Sequence, residues 1–193
     1  MTRLAFFASH NGSAARAITL ACRGGLLHAA PVLMISNNPD AGALAWAREQ
    51  GLHIMVANAK THPDTDAAIA EALAAHDIGM VLCSGYMRLI GPKTIQAVNH
   101  IWNVHPALLP AYGGKGMYGR RVHEAVFAAR DAQTGITLHE VDGEYDHGRV
   151  VAQKIIPLDA ADTADTIEEK VKAAEPDFYV ETLAAFLKPD RTA

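Results

Sequence analysis

Cysteine is almost missing from this chain: Cys22 and Cys83 are the only two in 193 residues. Such a pair builds no disulfide framework and lacks paired metal-ligand spacing, which excludes a stapled secreted scaffold and a zinc module. Cys83 ends the apolar run Met80-Val81-Leu82-Cys83, where a thiol serves as a small buried hydrophobe. No apolar run approaches the roughly 20 residues that cross a bilayer, and no signal-peptide pattern follows Met1-Thr2-Arg3. A basic surplus is lacking too. Lys and Arg number 17 against 21 Asp and Glu, for a net charge of −4, and no block of like charge occurs. Nothing in that balance offers a nucleic-acid backbone an electrostatic footprint. The ten histidines are scattered, with no His-Glu-x-x-His pattern, and a Gly-x-Ser-x-Gly elbow is absent. The expectation is a soluble cytoplasmic protein with small-molecule partners, no nucleic acid, no membrane and no metal.

What is present is a regular alternation. Short apolar runs bounded by turn residues fall at Leu4–Ser9, Pro31–Ser36, His53–Ala57, Met80–Ser84, Ile101–His105, Gly135–Val141 and Val150–Pro157. Stretches with helical spacing separate the early ones: Ser13–Arg23, Ala41–Gln50 stopped by Gly51, and Asp64–His76. Strand and helix in alternation predict right-handed βαβ units on a parallel sheet. The unbroken apolar character of Leu4–Ala8 and Met80–Cys83 suits strands covered on both faces. In the second half a helix is expected over Val122–Arg130. The last two strands are joined by Asp142–Gly148, too short for a helical crossover, so their pairing should be antiparallel. Thr163–Leu187 reads as a closing helix with Thr163 or Asp165 as cap and a kink or break at Pro176. One domain over 1–193 is expected.

Three places have residue types suited to chemistry. Ser9-His10-Asn11-Gly12-Ser13 follows the first strand and opens the first helix, where parallel sheets offer backbone N–H groups to anions. It lacks Gly-x-Gly-x-x-Gly spacing and a Walker pattern, so a tight turn and a phosphate loop both fit it. Ser84-Gly85-Tyr86-Met87-Arg88-Leu89-Ile90 leaves the fourth strand at the sheet's ligand edge, with Arg88 either pairing an anion or lying over the fold. In Ile101-Trp102-Asn103-Val104-His105-Pro106, Asn103 and His105 share one face of a strand that Pro106 ends. Asn suits an oxyanion and His exchanges protons near neutral pH. Asp146, in the loop between the last two strands, is placed to orient that His. A hydrogen-bonded structural role fits the pair equally well.

Taken in order, these segments resemble the phosphoribosylglycinamide formyltransferases, a family of folate-dependent enzymes. The resemblance covers Leu4 to about Leu187. Its most specific parts are Asn103-Val104-His105-Pro106-Ala107-Leu108-Leu109-Pro110, then Gly113–Gly119 with Val122-His123. Gly135-Ile136-Thr137-Leu138-His139, Tyr145-Asp146-His147-Gly148 and Gln153 complete it. The resemblance implies a Rossmann-like α/β fold with a mostly parallel seven-stranded sheet flanked by helices. It also implies formyl transfer from 10-formyltetrahydrofolate, as co-substrate, to a phosphoribosyl amine. Carried over, the catalytic group is Asn103, His105 and Asp146. Folate falls to Met87, Arg88, Leu89, Ile90, Val141 and Asp142, and the ribonucleotide to Asn11, Gly12, Ser13, Lys172 and Glu175. Residues 1–100 then form a nucleotide-phosphate half and 101–188 a folate-binding and catalytic half. The family includes monomers and homodimers.

The chain departs from the family pattern at His10 and Ala14, at His62-Pro63-Asp64 where some relatives carry an Arg, and at Glu175-Pro176. All fall on the nucleotide side. Formyl transfer to another amine, formyl-folate hydrolysis, and a catalytically silent folate or nucleotide binder stand as the alternatives.

Overall fold

The computed structural model describes residues 1–188; the last five residues of the expected domain lie outside the described residues. The first half runs β1 (Thr2–Phe7), α1 (Ser13–Arg23), β2 (Ala29–Ser36), α2 (Gly42–Glu49), β3 (His53–Val56), α3 (Thr65–Ala75) and β4 (Met80–Cys83). It continues through α4 (Pro92–Gln96), β5 (His100–His105), α5 (Arg120–Ala129), β6 (Gln133–Glu140), β7 (Val150–Pro157) and α6 (Ala164–Phe186). The strands form one seven-stranded sheet in the order β3-β2-β1-β4-β5-β6-β7. Strands β1 to β5 pair in parallel, while β5–β6 and β6–β7 are antiparallel. Seven strands and the late antiparallel pairs agree with the sequence reading.

Side chains that alternate along each strand divide the core in two. Leu4, Phe6, Met34, Met80, Leu82, Trp102 and Val104 bury one face under α1, α2 and α6. Ala5, Phe7, Leu33, Ile35, Val81, Cys83 and Ile101 bury the other under α3. Strands apolar on both faces are what a parallel sheet inside two helical layers requires. Trp102 fixes β5 in this frame: its indole N–H donates to Glu140 Oε1 at 3.0 Å, and its carbonyl accepts from Tyr179 Oη on α6 at 3.1 Å.

Two elements differ from expectation. Helix α4 has only five residues and no readable periodicity. It forms because Asp66 of α3 accepts from the N–H groups of Lys93 and Thr94 and from the Thr94 hydroxyl, so its cap comes from a distant segment. The expected break at Pro176 does not occur, since α6 runs from Ala164 through Phe186 with the proline inside. An interior proline costs about 3 kcal/mol. Burial of Phe178, Tyr179 and Leu183 beyond it returns roughly 1.5–3 kcal/mol each, which exceeds that cost.

The chain winds outward from β1 to β3, then returns to place β4 on the other side of β1. That reversal opens a crevice at the carboxyl ends of β1 and β4, where open α/β sheets bind ligands. Farther along, the β6–β7 hairpin closes tightly: a Cβ at Gly148 would lie 1.9 Å from the Glu140 carbonyl oxygen. Gly148→Ala should therefore destabilise the protein by about 1–3 kcal/mol. A lowered urea midpoint checks this; an unchanged midpoint means the hairpin is looser than described.

Candidate active site

Strand β5 delivers Asn103 and His105 to its carboxyl end, opposite His139 and Thr137 of antiparallel β6. The loop after β6 brings Asp146 back over them. His105 Nδ1 lies 3.3 Å from Asp146 Oδ2, and its Nε2 lies 2.8 Å from the carbonyl oxygen of Tyr112. Carboxylate and carbonyl are both acceptors, so each ring nitrogen of His105 faces one. His139 is the third member. Its Nδ1 lies 2.9 Å from the Glu140 carbonyl oxygen, and its Nε2 lies 3.2 Å from Asn103 Nδ2 and 3.5 Å from Asp146 Oδ1. The N–H of Gly114 completes the shell by donating to Asp146 Oδ2 at 3.0 Å.

This centre is dry. His105 and His139 are buried, and the Asp146 side chain is 9% exposed. Burial opposes a charge on Asp146, but the hydrogen bonds from His105 and His139, the attraction of His105 and the Gly114 N–H outweigh it. The carboxyl is held well below the ordinary carboxylate range.

A second buried network sets the segment after β5. The Thr137 hydroxyl donates to the Ala107 carbonyl at 2.6 Å and accepts from the Leu109 N–H at 3.0 Å. Gln153 of β7 donates to the Leu109 carbonyl and to Thr137 Oγ1, both at 2.9 Å. The chain is thereby steered so that Tyr112, at a left-handed φ of 57°, presents its carbonyl to His105. The Tyr112 hydroxyl ties the turn down on Asp131 at 2.5 Å.

The other sequence candidates fall into two groups. The Asn11–Ser13 loop and the Met87–Ile90 loop meet at the sheet's switch point. Ser9 N–H donates to the Gly85 carbonyl at 3.1 Å, Met87 N–H to Ser9 Oγ at 2.8 Å, and Ala15 N–H to Ser84 Oγ at 3.3 Å. Gly12 has a left-handed φ of 62° and lies against Ala43, which no larger residue tolerates without strain. Met87 and Leu89 are 38% and 53% exposed, Arg88 is exposed and Ile90 is buried, so this edge of β4 carries open apolar surface. Val141 donates its N–H to the Ile101 carbonyl at 2.8 Å, and Asp142 accepts from His147 Nδ1 at 2.7 Å. Asp142 is partly screened from water, yet the bond from His147 and the Glu144 N–H lower its pKa.

Lys172 and Glu175 stand apart from these contacts. Lys172 Nζ pairs with Glu168 of its own helix at 2.5 Å. Burial pushes the Glu175 carboxyl up to about 7, against the opposing pull of Lys172. No hydrogen bond among the described residues joins either side chain to the Asn11–Ser13 loop. Asp64, in the stretch that departs from the family pattern, caps α3 through the Ala67 N–H and pairs with Lys93 at 2.6 Å. No group of His, Cys, Asp and Glu among the described residues is arranged to hold a metal ion, and none of the described helices is long and apolar enough to cross a membrane.

Sequence reasoning did not single out three contributors to the centre: His139, Thr137 and the Tyr112 carbonyl. His139 and Thr137 stand in the motif read for resemblance, and the period of a strand paired with β5 marks both. A backbone carbonyl leaves no mark in a sequence.

The family model described as "Formyl transferase" matches residues 2–183. A chloroplastic phosphoribosylglycinamide formyltransferase of Vigna unguiculata is 37% identical over 187 residues, covering 95% of this chain and 60% of that protein. The corresponding Arabidopsis thaliana protein is covered to 64%, so the chain spans under two thirds of these plant relatives. The phosphoribosylglycinamide formyltransferase of Bacillus subtilis (strain 168) is 34% identical, with 97% of this chain and 95% of that one covered. A crystal structure of the Bacillus halodurans phosphoribosylglycinamide formyltransferase superposes with a TM-score of 0.88 at 31% identity, covering 97% and 96% of the two chains.

The Asp146 carboxylate gives stability a definite pH dependence. Its folded pKa lies below the ordinary 3.8, so as the pH falls the unfolded chain takes up the proton first. The contribution is complete above about pH 5 and drains away as the pH drops through and below about 4. Urea unfolding of the wild type and Asp146→Asn should show a gap that shrinks from about pH 6 to about pH 3. A constant gap would mean that the carboxylate is not held by the two histidines.

Proposed function

The chain belongs to the formyl transferase family, and on that footing we propose that it moves the formyl group of 10-formyltetrahydrofolate onto the primary amine of glycinamide ribonucleotide. The observation that carries this reading is the buried cluster of Asn103, His105, His139 and Asp146 at the carboxyl end of β5, one strand from the open apolar loop at Met87 and Leu89. The names of the Bacillus subtilis and plant relatives support the same transferred group and acceptor.

The folate brings its formyl group already activated, so the protein needs no nucleophile of its own. As the amine adds to the formyl carbon, negative charge gathers on the formyl oxygen, where Asn103 and His105 are the donors that meet it. Collapse then breaks the carbon–nitrogen bond to the folate, whose leaving nitrogen takes up the proton that the amine gives up. The Tyr112 carbonyl holds Nε2–H of His105 at 2.8 Å, whereas Nδ1 lies 3.3 Å from Asp146, longer than charge-assisted hydrogen bonds usually are. Nδ1–H, the more weakly held of the two, is therefore the donor available to the formyl oxygen. Asp146, held so acidic, is a weak base. Its main contribution is the charge on His105 rather than direct removal of the amine's proton.

Met87, Arg88, Leu89 and Ile90 with Val141 and Asp142 would hold the pterin, and Asn11, Gly12 and Ser13 the ribonucleotide phosphate. Lys172 and Glu175 would serve the sugar side, where a Glu175 carboxyl near 7 both accepts and donates to hydroxyls. The division at residue 100 then separates the roles only in part, because Met87–Ile90 precedes it. The two free cysteines suit a reducing, cytoplasmic setting. One observation favours a second reading, formyl transfer to a different amine: Asp64 occupies the stretch where some relatives carry an Arg and is spent on Lys93 and the α3 cap.

The test follows release of tetrahydrofolate from 10-formyltetrahydrofolate. Release that requires glycinamide ribonucleotide supports the proposal. Release without any amine means hydrolysis, and no release with any amine means a binding protein. In the active enzyme His105→Ala and Asn103→Ala should each lower kcat by roughly 100-fold or more, with Asp146→Asn close behind, while folate affinity changes little. Near-normal turnover in these variants would remove the cluster from the mechanism.

A further inference from the structure

From Ser9 to Gly12, each carbonyl of the β1–α1 loop has a donor behind it. Ser9 O accepts from Asn38 Nδ2 at 3.2 Å, His10 O from the Ala43 N–H at 3.0 Å, Asn11 O from Arg16 Nε at 2.9 Å, and Gly12 O from the Arg16 N–H at 3.0 Å. In a trans peptide the C=O and the next N–H point opposite ways across one plane. Tying each carbonyl back therefore aims the following N–H forward. The groups so aimed belong to His10, Asn11, Gly12 and Ser13, and among the described residues none of the four donates to a protein acceptor.

Of these four donors only the Arg16 side chain is charged. A cationic donor binds a carbonyl more strongly than a neutral one and polarises the peptide behind it, here the Asn11–Gly12 unit. The guanidinium is itself held from α2: its Nη2 donates to Gly42 O at 3.3 Å, and its centre lies 5.1 Å from the Trp46 ring centroid. Gly42 leaves room for this arrangement, since a Cβ there would lie 2.6 Å from Asn11 Oδ1. Arg16 thus works from behind the loop, on the side opposite its free N–H groups.

We infer that Arg16 is a positioning residue for the acceptor's phosphate, fixing and polarising the Asn11–Gly12 peptide so that the Gly12 N–H meets the anion; this rests on the reading that the loop takes that phosphate. The charge acts through the peptide and not by direct contact. Arg16 therefore governs the acceptor side alone and leaves the folate side and the chemical step untouched.

The experiment compares wild type with Arg16→Met, which keeps the packing on Trp46 but removes the donors and the charge, and with Arg16→Lys, which restores a charged donor. Arg16→Met should raise KM for glycinamide ribonucleotide, and the inhibition constant of inorganic phosphate, by about tenfold or more. Its kcat and its KM for 10-formyltetrahydrofolate should stay within about twofold of wild type, and Arg16→Lys should recover part of the loss. Unchanged acceptor KM and phosphate inhibition in folded Arg16→Met would overturn the inference. So would a uniform worsening of both KM values together with the melting temperature, which is what a mere α1–α2 staple produces. An enzyme that refuses glycinamide ribonucleotide altogether defeats the functional reading separately. Calorimetry with inorganic phosphate then decides the role of Arg16: weaker binding to Arg16→Met than to wild type supports it, and equal or absent binding to both overturns it.

Discussion

A charged carboxylate in a dry place is the constraint around which the rest of this molecule is arranged. Asp146 is nearly buried, which alone would make it neutral. It stays charged because partners converge on it from separate parts of the chain: His105 at the end of β5, His139 on β6, and the Gly114 N–H from the loop beyond β5. None of these is a sequence neighbour of Asp146, so its ionisation reports the tertiary fold. Replacing any one leaves the others facing an incompletely satisfied charge, the costly condition in a protein interior.

The sheet supplies what this convergence needs. The antiparallel register of β5 and β6 sets His139 opposite Asn103 and Thr137 opposite His105, so that four polar side chains reach one end of an otherwise apolar core. Thr137 and Gln153 then hold the segment after Pro106 in place, and the Tyr112 carbonyl faces the imidazole's Nε2. The reversal of strand order between β1 and β4 sets the Asn11 and Met87 loops side by side, joined through Ser9. On the proposed function, a one-carbon donor and an amine acceptor would approach one pair of hydrogen-bond donors from these two loops.

Much of this was legible in the sequence, for identifiable reasons. Strands apolar on both faces, such as β4, announce a covered parallel sheet, and a loop as short as Asp142–Gly148 admits only an antiparallel return. Asn103 and His105 stood out because polar residues at the end of an apolar strand need an explanation. Helix α4 was hidden because its cap is Asp66, a residue of another helix, and α6 passes Pro176 unbroken because packing far along the helix outweighs a local cost. The Tyr112 carbonyl was hidden for a simpler reason: every residue has one, and only the fold decides which of them meets a histidine. Arg16 leaves no such mark in the sequence, because its partners, the carbonyls of Asn11 and Gly42, are set by the fold.

The proposed mechanism requires the fold to hold His105 doubly protonated between Asp146 and the Tyr112 carbonyl. Neutron diffraction from the ligand-free protein, exchanged into heavy water, locates the hydrogens on that ring directly. Deuterons on both Nδ1 and Nε2, with none on the Asp146 carboxylate, are the predicted result. A single deuteron on the imidazole, or one on Asp146, would contradict it.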